Sequence, residues 1–214
     1  IYQTVGAGSY YLTNNSPYRN AGTTNISLTL LAELHKKTTY PPIVYANTTI
    51  SAATTFSPQA QRDTDTPDLG YHYDALDYAF GLVTANSNLT FTAGTAVAWF
   101  SSYAGPTPGY GVGDEWGLGL MNNVTATFDG MVTAPCYAVQ YSMVQEDGNA
   151  VWMQNWHSGI QPVESYDPSQ HPSVEANFTI FAHPSYGTEN FSDGGGVNVI
   201  NLRLKNSEIY NGFG

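Results

Sequence analysis

Five aspartates lie close together in a short stretch that also contains one arginine and one histidine. They are Asp63, Asp65, Asp68, Asp74 and Asp77. The stretch has neither helical nor strand periodicity, so it predicts an ordered loop. Hard cations such as calcium bind clustered carboxylates on a single loop, which makes Asp63, Asp65 and Asp68 candidate calcium ligands. Alternatively, these aspartates cap turns and bind backbone amides, with Arg62 paired to Asp63 or Asp65.

The second half of the same loop offers a candidate acid/base group. Asp74 and Asp77, together with His72, have the side-chain types that glycoside hydrolysis uses, and inverting enzymes place two carboxyl groups roughly 6.5–9.5 Å apart. A spacing of three residues permits that distance without requiring it. The sequence motifs of β-helical polygalacturonases are absent, so we expect no turnover of polysaccharides. The alternative is a buried network of Tyr, His and Asp that anchors the loop.

Aromatic side chains provide a candidate surface for stacking sugars. The candidates are Trp116, Trp152 and Trp156. The alternative is that these rings cover the core beneath long loops. The five histidines do not have the close spacing of zinc ligands, and Cys136 is the only cysteine, so it has no partner for an intrachain disulfide.

The composition excludes some classes of partner. Lys and Arg total 6 against 17 Asp and Glu, for a net charge of −11, so nucleic acid and anionic membrane surfaces are disfavoured. No apolar run is long enough to insert into a membrane. Hydrophobic residues make up 42% of the 214 residues, enough to build the core of a folded domain.

Asparagine-linked glycosylation is predicted by several Asn-X-Ser/Thr triplets and favours an extracellular or cell-surface location. The candidate asparagines are Asn25, Asn47, Asn88, Asn123, Asn177 and Asn190. A chain rich in Asn and Thr also produces such triplets by chance.

The elements that must position these residues are mostly short strands. One helix is predicted over 27–37, and the proline pair after it prevents its continuation. From Ile43 onward, brief β-branched and aromatic segments separated by Gly, Asn, Asp and Pro predict short strands, one of them at Leu89–Thr92. The C-terminal segment has the rhythm of strand, tight corner and strand, and it predicts buried aliphatic side chains that stack on the preceding coil. These are Val197, Val199, Leu202, Leu204 and Ile209.

Two all-β architectures fit this rhythm: a parallel β-helix, in which corner asparagines bond the neighbouring coils, and an antiparallel β-sandwich. A resemblance favours the first. The run from Gln59 to Tyr78, with the segment from Leu34 to Val44 before it, resembles part of very large secreted bacterial proteins built from right-handed parallel β-helix repeats. The resemblance implies one β-helical domain over 1–214 with a structural, adhesive or matrix role. The rival functions are a β-helical polysaccharide lyase or glycoside hydrolase and a non-catalytic glycan-binding module.

The same architecture predicts partners. An open coil leaves backbone groups and inward aliphatic side chains unpaired. We therefore expect either flanking coils of a longer parent chain or identical chains that join end to end into a filament. Polysaccharide is the other candidate partner, and no cofactor is expected apart from the candidate calcium.

Overall fold

The computed structural model describes residues 1–100, 116–144, 159–163, 169–182, 191 and 200–210, and they are mostly β-structure. The strands are β1 (Tyr2–Val5), β2 (Gly8–Leu12), β3 (Lys37–Thr38), β4 (Ile43–Ile50), β5 (Thr54–Phe56), β6 (Tyr73–Asp74), β7 (Tyr78–Ala85), β8 (Leu89–Thr92), β9 (Ala96–Trp99), β10 (Leu118–Leu120), β11 (Thr125–Asp129), β12 (Cys136–Gln140), β13 (Ile160–Pro162), β14 (Ser173–Asn177), β15 (Thr179–Ala182), β16 (Asn201–Lys205) and β17 (Glu208–Tyr210). The helix α1 covers Leu28–Leu34, and a short 3-10 helix covers Tyr141–Met143. Within these residues, no helix is both long and apolar enough to span a bilayer.

Two large sheets, both parallel, contain most of the strands. The five-stranded sheet has the order β16-β14-β11-β8-β5. The eight-stranded sheet has the order β13-β10-β7-β9-β12-β15-β17, with β4 paired to β7. Every strand pair within these two sheets is parallel, so the antiparallel sandwich alternative does not describe them. We call the strands of these two sheets, β4, β5 and β7 to β17, the strand stack.

Strand β7 is the branch point of the eight-stranded sheet. Its first half, Tyr78 to Phe80, pairs with β9, and its second half, Val83 to Ala85, pairs with β10. Between the halves, Leu82 has a φ of 53°, in the left-handed region that bends a strand. In β4, Asn47 has a φ of 48° between the residues that pair with Gly81 and Val83. The two strands therefore bend at the same level and stay paired on both sides of the bend.

The interior of the strand stack is an apolar core in which equivalent positions of successive strands lie in register. Phe56 pairs with Phe91, and Phe91 pairs with Phe128. Their stacked rings have centroids 5.1 and 4.4 Å apart. Burial of each such ring contributes roughly 1.5–3 kcal/mol to stability. The pleat turns alternate residues outward, which leaves Thr90 and Thr127 on the other face of the sheet.

The first 42 residues and the loop between β5 and β7 do not join the large sheets. Strands β1 and β2 form an antiparallel hairpin, and β3 pairs antiparallel with β6. A second apolar cluster joins Ala7 of the hairpin turn to Ala79, Ala98 and Val139. Because these alanines and Val139 alternate with the inward side chains, the hairpin covers the outer face of the eight-stranded sheet.

The predicted helix is shorter than expected. Ser27 caps it by accepting a hydrogen bond from Leu30 N at 3.2 Å, and the helix ends at Leu34 rather than at Lys37. None of its residues is fully buried. Lys37 instead begins β3, where its backbone pairs with Asp74. The tertiary pairing of β3 therefore removes the last residues from the helix.

In the C-terminal segment the predicted parallel pairing is confirmed, but the prediction of burial was wrong at two positions. Leu202 pairs with Val174 and Ile209 pairs with Phe181, yet both aliphatic side chains are 46% exposed. Strands β16 and β17 lie at the edges of their sheets, so the preceding strands cover only one side of these side chains. Leu204 is half-buried and packs against the core. Val197 and Val199 lie outside the described residues.

Candidate functional site

The acidic loop, residues 57–77, connects β5 to β7, and Asp77 fixes its end. The Asp77 side chain is completely buried. Its Oδ1 accepts hydrogen bonds from Gln59 N at 2.8 Å and Ala60 N at 3.0 Å, and its Oδ2 accepts one from Ala96 N at 2.8 Å. Arg62 binds both oxygens, with Nη1 2.5 Å from Oδ1 and Nη2 3.0 Å from Oδ2. A buried carboxylate needs this full set of donors, since an unpaired buried charge costs several kcal/mol.

Asp68 fixes the middle of the acidic loop to the N-terminal segment. Its carboxylate is 3.1 Å from Arg19 Nη1, and it accepts hydrogen bonds from Thr39 Oγ1 at 2.5 Å and Asn20 N at 2.7 Å. The guanidinium of Arg19 also lies 3.5 Å above the centre of the Tyr40 ring. These contacts hold three separate stretches of chain together at one buried charge.

Asp63 and His72 form a further buried pair. His72 Nε2 is 2.6 Å from Asp63 Oδ2, and His72 Nδ1 is 3.1 Å from Gly70 O. The same Asp63 oxygen accepts a hydrogen bond from Asp68 N at 2.9 Å. Both ring nitrogens of His72 therefore face oxygen atoms, one on the Asp63 carboxylate and one on the Gly70 carbonyl.

The structure does not assemble the predicted acid/base group. Asp74 is exposed and its Oδ1 is 2.7 Å from Lys37 Nζ, Asp77 is buried against Arg62, and His72 contacts Asp63. The prediction that Arg62 pairs with Asp63 or Asp65 was wrong. The only carboxylate that Arg62 contacts among the described residues is Asp77, which is also the least exposed of the five.

The candidate calcium ligands border one small cavity of about 30 Å³. Its lining residues are Arg19, Asn20, Thr39, Tyr40, Gln61, Arg62, Asp63, Asp65 and Asp68. The two arginines oppose a cation there by charge repulsion. In the part of the chain that the structure describes, no group of three or more His, Cys, Asp and Glu is arranged to hold a metal ion. The calcium site therefore stays a prediction from sequence.

Trp116 does not offer an exposed ring for a sugar. It is buried, and a methyl group added at Gly119 would lie 2.8 Å from its Nε1, which shows how closely the backbone packs against it. Trp152 and Trp156 lie outside the described residues. Sequence reasoning did not predict the exposed aromatic cluster that the structure contains, which consists of Tyr2, Tyr10 and Tyr71. A signal was available in the Tyr-X-Tyr pattern of the acidic loop, because residues two apart in an extended segment share a face, and the rings of Tyr71 and Tyr73 are in contact at 4.6 Å.

Cys136 is buried in the strand stack and is poorly suited to nucleophilic chemistry. Its Sγ is 3.3 Å from Thr92 O, and burial raises the pKa of its thiol to about 11. Burial also raises the pKa of Tyr78, whose hydroxyl donates a hydrogen bond to Ser57 O at 2.9 Å. Both side chains act as packing groups.

The candidate glycosylation sites that the structure describes lie in loops or turns, at strand ends or, for Asn47, at the bend in β4. Asn25, Asn47, Asn88 and Asn123 are exposed, Asn177 is half-buried, and Asn190 lies outside the described residues. The expected hydrogen bond between asparagines at the ends of neighbouring strands is present, since Asn206 Nδ2 donates to Asn177 Oδ1 at 3.2 Å. Asn88 Oδ1 similarly accepts from Thr125 N at 2.9 Å, which leaves its Nδ2 available for a glycan.

The chain was compared with family models, with curated proteins and with solved structures, and no match was found in any of the three comparisons. The class of protein must therefore be inferred from the fold and from the side chains described above.

Proposed function

We propose that this chain is a right-handed parallel β-solenoid that serves as an extracellular, non-catalytic scaffold with a structural or adhesive role. The order of pairing supports the solenoid. The chain visits β8, β9 and β10 in turn, and then β11, β12 and β13 pair in parallel with those strands in the same order. A right-handed path is the one that parallel crossovers almost always take.

One observation carries the non-catalytic assignment. The three most buried carboxylates of the acidic loop, Asp63, Asp68 and Asp77, already accept hydrogen bonds from internal donors. The cavity beside Asp63 and Asp68 has room for about two water molecules but not for a sugar ring. A general acid or base needs access to its substrate, and these groups have none.

An assay for polysaccharide cleavage tests this assignment. The chain is incubated with neutral and acidic polysaccharides, and new reducing ends and unsaturated products are measured. We expect no product above that of heat-denatured chain. Product formation that is abolished by Asp74→Asn or Asp77→Asn, in variants that remain folded by circular dichroism, contradicts the scaffold proposal and favours the enzyme.

The proposed extracellular location is supported by the exposed positions of Asn25, Asn47, Asn88 and Asn123. Mass spectrometry of the chain isolated from its source, with and without enzymatic removal of asparagine-linked glycans, tests it. A glycan on at least one of these asparagines is expected. An unmodified chain found inside the cell contradicts the proposal.

We also propose that further coils cover the open edges of the stack, either from identical chains or from a longer parent. The outward edges of β16 and β17 have no paired strand among the described residues, and they expose Leu202 and Ile209. Apolar side chains on an unpaired edge favour the addition of another strand. Light scattering tests this on the native material, and a monodisperse particle of 23.2 kDa contradicts it.

A further inference from the structure

Three exposed tyrosines on the N-terminal hairpin and the acidic loop form a continuous aromatic cluster. The rings of Tyr2 and Tyr10 are 6.1 Å apart between centroids, and those of Tyr10 and Tyr71 are 6.4 Å apart. The three residues are 49%, 50% and 55% exposed. Single exposed aromatic residues are common on protein surfaces, but three exposed rings, each in contact with the next, form a contiguous patch that indicates an interaction site.

The cluster is fixed to the protein core. The ring of Tyr71 packs on that of Tyr73 at 4.6 Å, and Tyr73 packs on buried Tyr11 at 4.4 Å. The hydroxyl of Tyr73 also accepts a hydrogen bond from Tyr10 N at 3.0 Å. One buried tyrosine therefore positions both the hairpin and the loop. Rigid rings lose little conformational entropy when they bind a ligand, which favours affinity.

The chemistry of the cluster indicates a neutral, hydroxyl-rich ligand. Among the described residues, the phenol oxygens of Tyr2, Tyr10 and Tyr71 have no hydrogen-bond partner, so each ring offers an apolar face together with a free polar group. Sugar rings have the complementary surface, with apolar C–H faces and hydroxyl edges. The ionisable groups nearest to Tyr71 in the sequence are paired within the protein, His72 with Asp63 and Asp74 with Lys37. The net charge of −11 disfavours a polyanion.

We propose that Tyr2, Tyr10 and Tyr71 form a binding site for a neutral polysaccharide. The ring spacing requires a ligand of several linked sugars if it is to contact all three side chains. A polysaccharide bound at this site is the ligand that the proposed adhesive role requires. The inference therefore rests on that proposed function. It differs from the predicted stacking surface, which was placed at the tryptophans.

Isothermal titration calorimetry with soluble polysaccharides tests the site. The probes are mixed-linkage β-glucan, galactomannan and dextran, with polygalacturonate as the anionic comparison and a proline-rich peptide as the alternative ligand. We expect at least one neutral polysaccharide to bind. Tyr10→Ala and Tyr71→Ala are each expected to raise the Kd roughly two- to tenfold, the value of one aromatic contact.

Tyr137→Ala is the matched control. Tyr137 is 40% exposed on β12 and has no ring contact in the described part of the chain, so its removal should leave the Kd unchanged. Tyr10→Phe keeps the ring and should retain most of the affinity. Each variant is checked for folding by circular dichroism, and Tyr71→Ala provides an independent test if Tyr10→Ala fails to fold.

Three results overturn the site: no neutral polysaccharide binds, only the peptide or the polyanion binds, or Tyr137→Ala weakens binding as much as Tyr10→Ala. Each leaves the scaffold proposal standing, provided that no cleavage product forms. Conversely, formation of a polysaccharide-cleavage product contradicts the scaffold proposal. The change of Kd in the tyrosine variants remains a separate test of the tyrosine site.

Discussion

The strand stack and the acidic loop both contain buried side chains, but different forces hold them. In the stack, apolar side chains from successive strands lie in register, as Phe91 does between Phe56 and Phe128. In the loop, buried carboxylates bind arginine, hydroxyl and backbone donors that are distant in sequence. Loss of apolar contact has a graded cost that depends on how well the site relaxes. Loss of one partner from a buried charge leaves the other uncompensated.

The largest expected effect belongs to the middle of the aromatic stack. Phe91→Ala removes a fully buried ring that contacts rings on both sides, so we expect the free energy of unfolding to fall by about 4 kcal/mol. Urea denaturation followed by circular dichroism measures it. Met131→Ala, at an exposed site in the turn before β12, is the control and should change stability by less than about 0.5 kcal/mol. Similar losses in both variants would contradict the stacked core.

Asp77→Asn is expected to have the next largest effect. The substitution keeps the shape of the side chain but removes the charge that Arg62 and the backbone amides bind, so the free energy of unfolding should fall by about 3 kcal/mol. Asp65→Asn is the matched control because Asp65 is exposed and has no hydrogen-bond partner within the described residues. A D77N variant as stable as D65N would show that the loop does not depend on its buried charge.

Strands β8 and β7 show which parts of the strand stack could be predicted from the sequence. Alternation and turn residues predicted β8 at Leu89–Thr92, with the bounds that the structure has. They did not predict β7, because Tyr78–Ala85 is buried over nearly its whole length and lacks alternation, as is typical of a parallel strand covered on both faces. Its first residues also follow directly on the aspartates, which made the segment resemble a continuation of the loop.

The hydrogen-bond and ion-pair partners of the aspartates could not be predicted from the sequence, for a different reason. Arg62 is adjacent in sequence to Asp63 but binds Asp77, and Arg19 binds a carboxylate 49 residues away. Such pairs depend on how the loop folds over the hairpin, which no local pattern encodes.

The dependence of stability on alkaline pH tests whether the Cys136 thiol is buried and neutral in the strand stack. Burial raises the pKa of Cys136 to about 11, so the folded chain keeps the thiol proton that the unfolded chain loses above pH 9. The stabilising contribution is therefore present below pH 9 and lost as the pH rises towards 11. Wild type should lose about 2–3 kcal/mol more than Cys136→Ala over this range. Equal losses in both proteins would contradict a buried, neutral thiol.

The smallest effect is expected at the exposed ion pair of the loop. Lys37 Nζ and Asp74 Oδ1 are 2.7 Å apart, but Asp74 is open to solvent, so Lys37→Ala should cost less than about 1 kcal/mol, and added salt should reduce the difference. Thermal unfolding at low and high ionic strength measures it. A loss as large as that of Asp77→Asn would remove the distinction between the buried and exposed carboxylates of the loop.

Native-state hydrogen exchange of Asp77→Asn tests most directly whether the acidic loop is a structural anchor. We expect faster exchange at Gln59, Ala60 and Ala96, because their backbone amides bind the Asp77 carboxylate. The amides of β11 and β14 should keep their protection. The control variant D65N should exchange as wild type does. Unchanged exchange at those three amides in D77N, together with loss of a measurable polysaccharide-cleaving activity, would instead make Asp77 a catalytic residue and contradict the account.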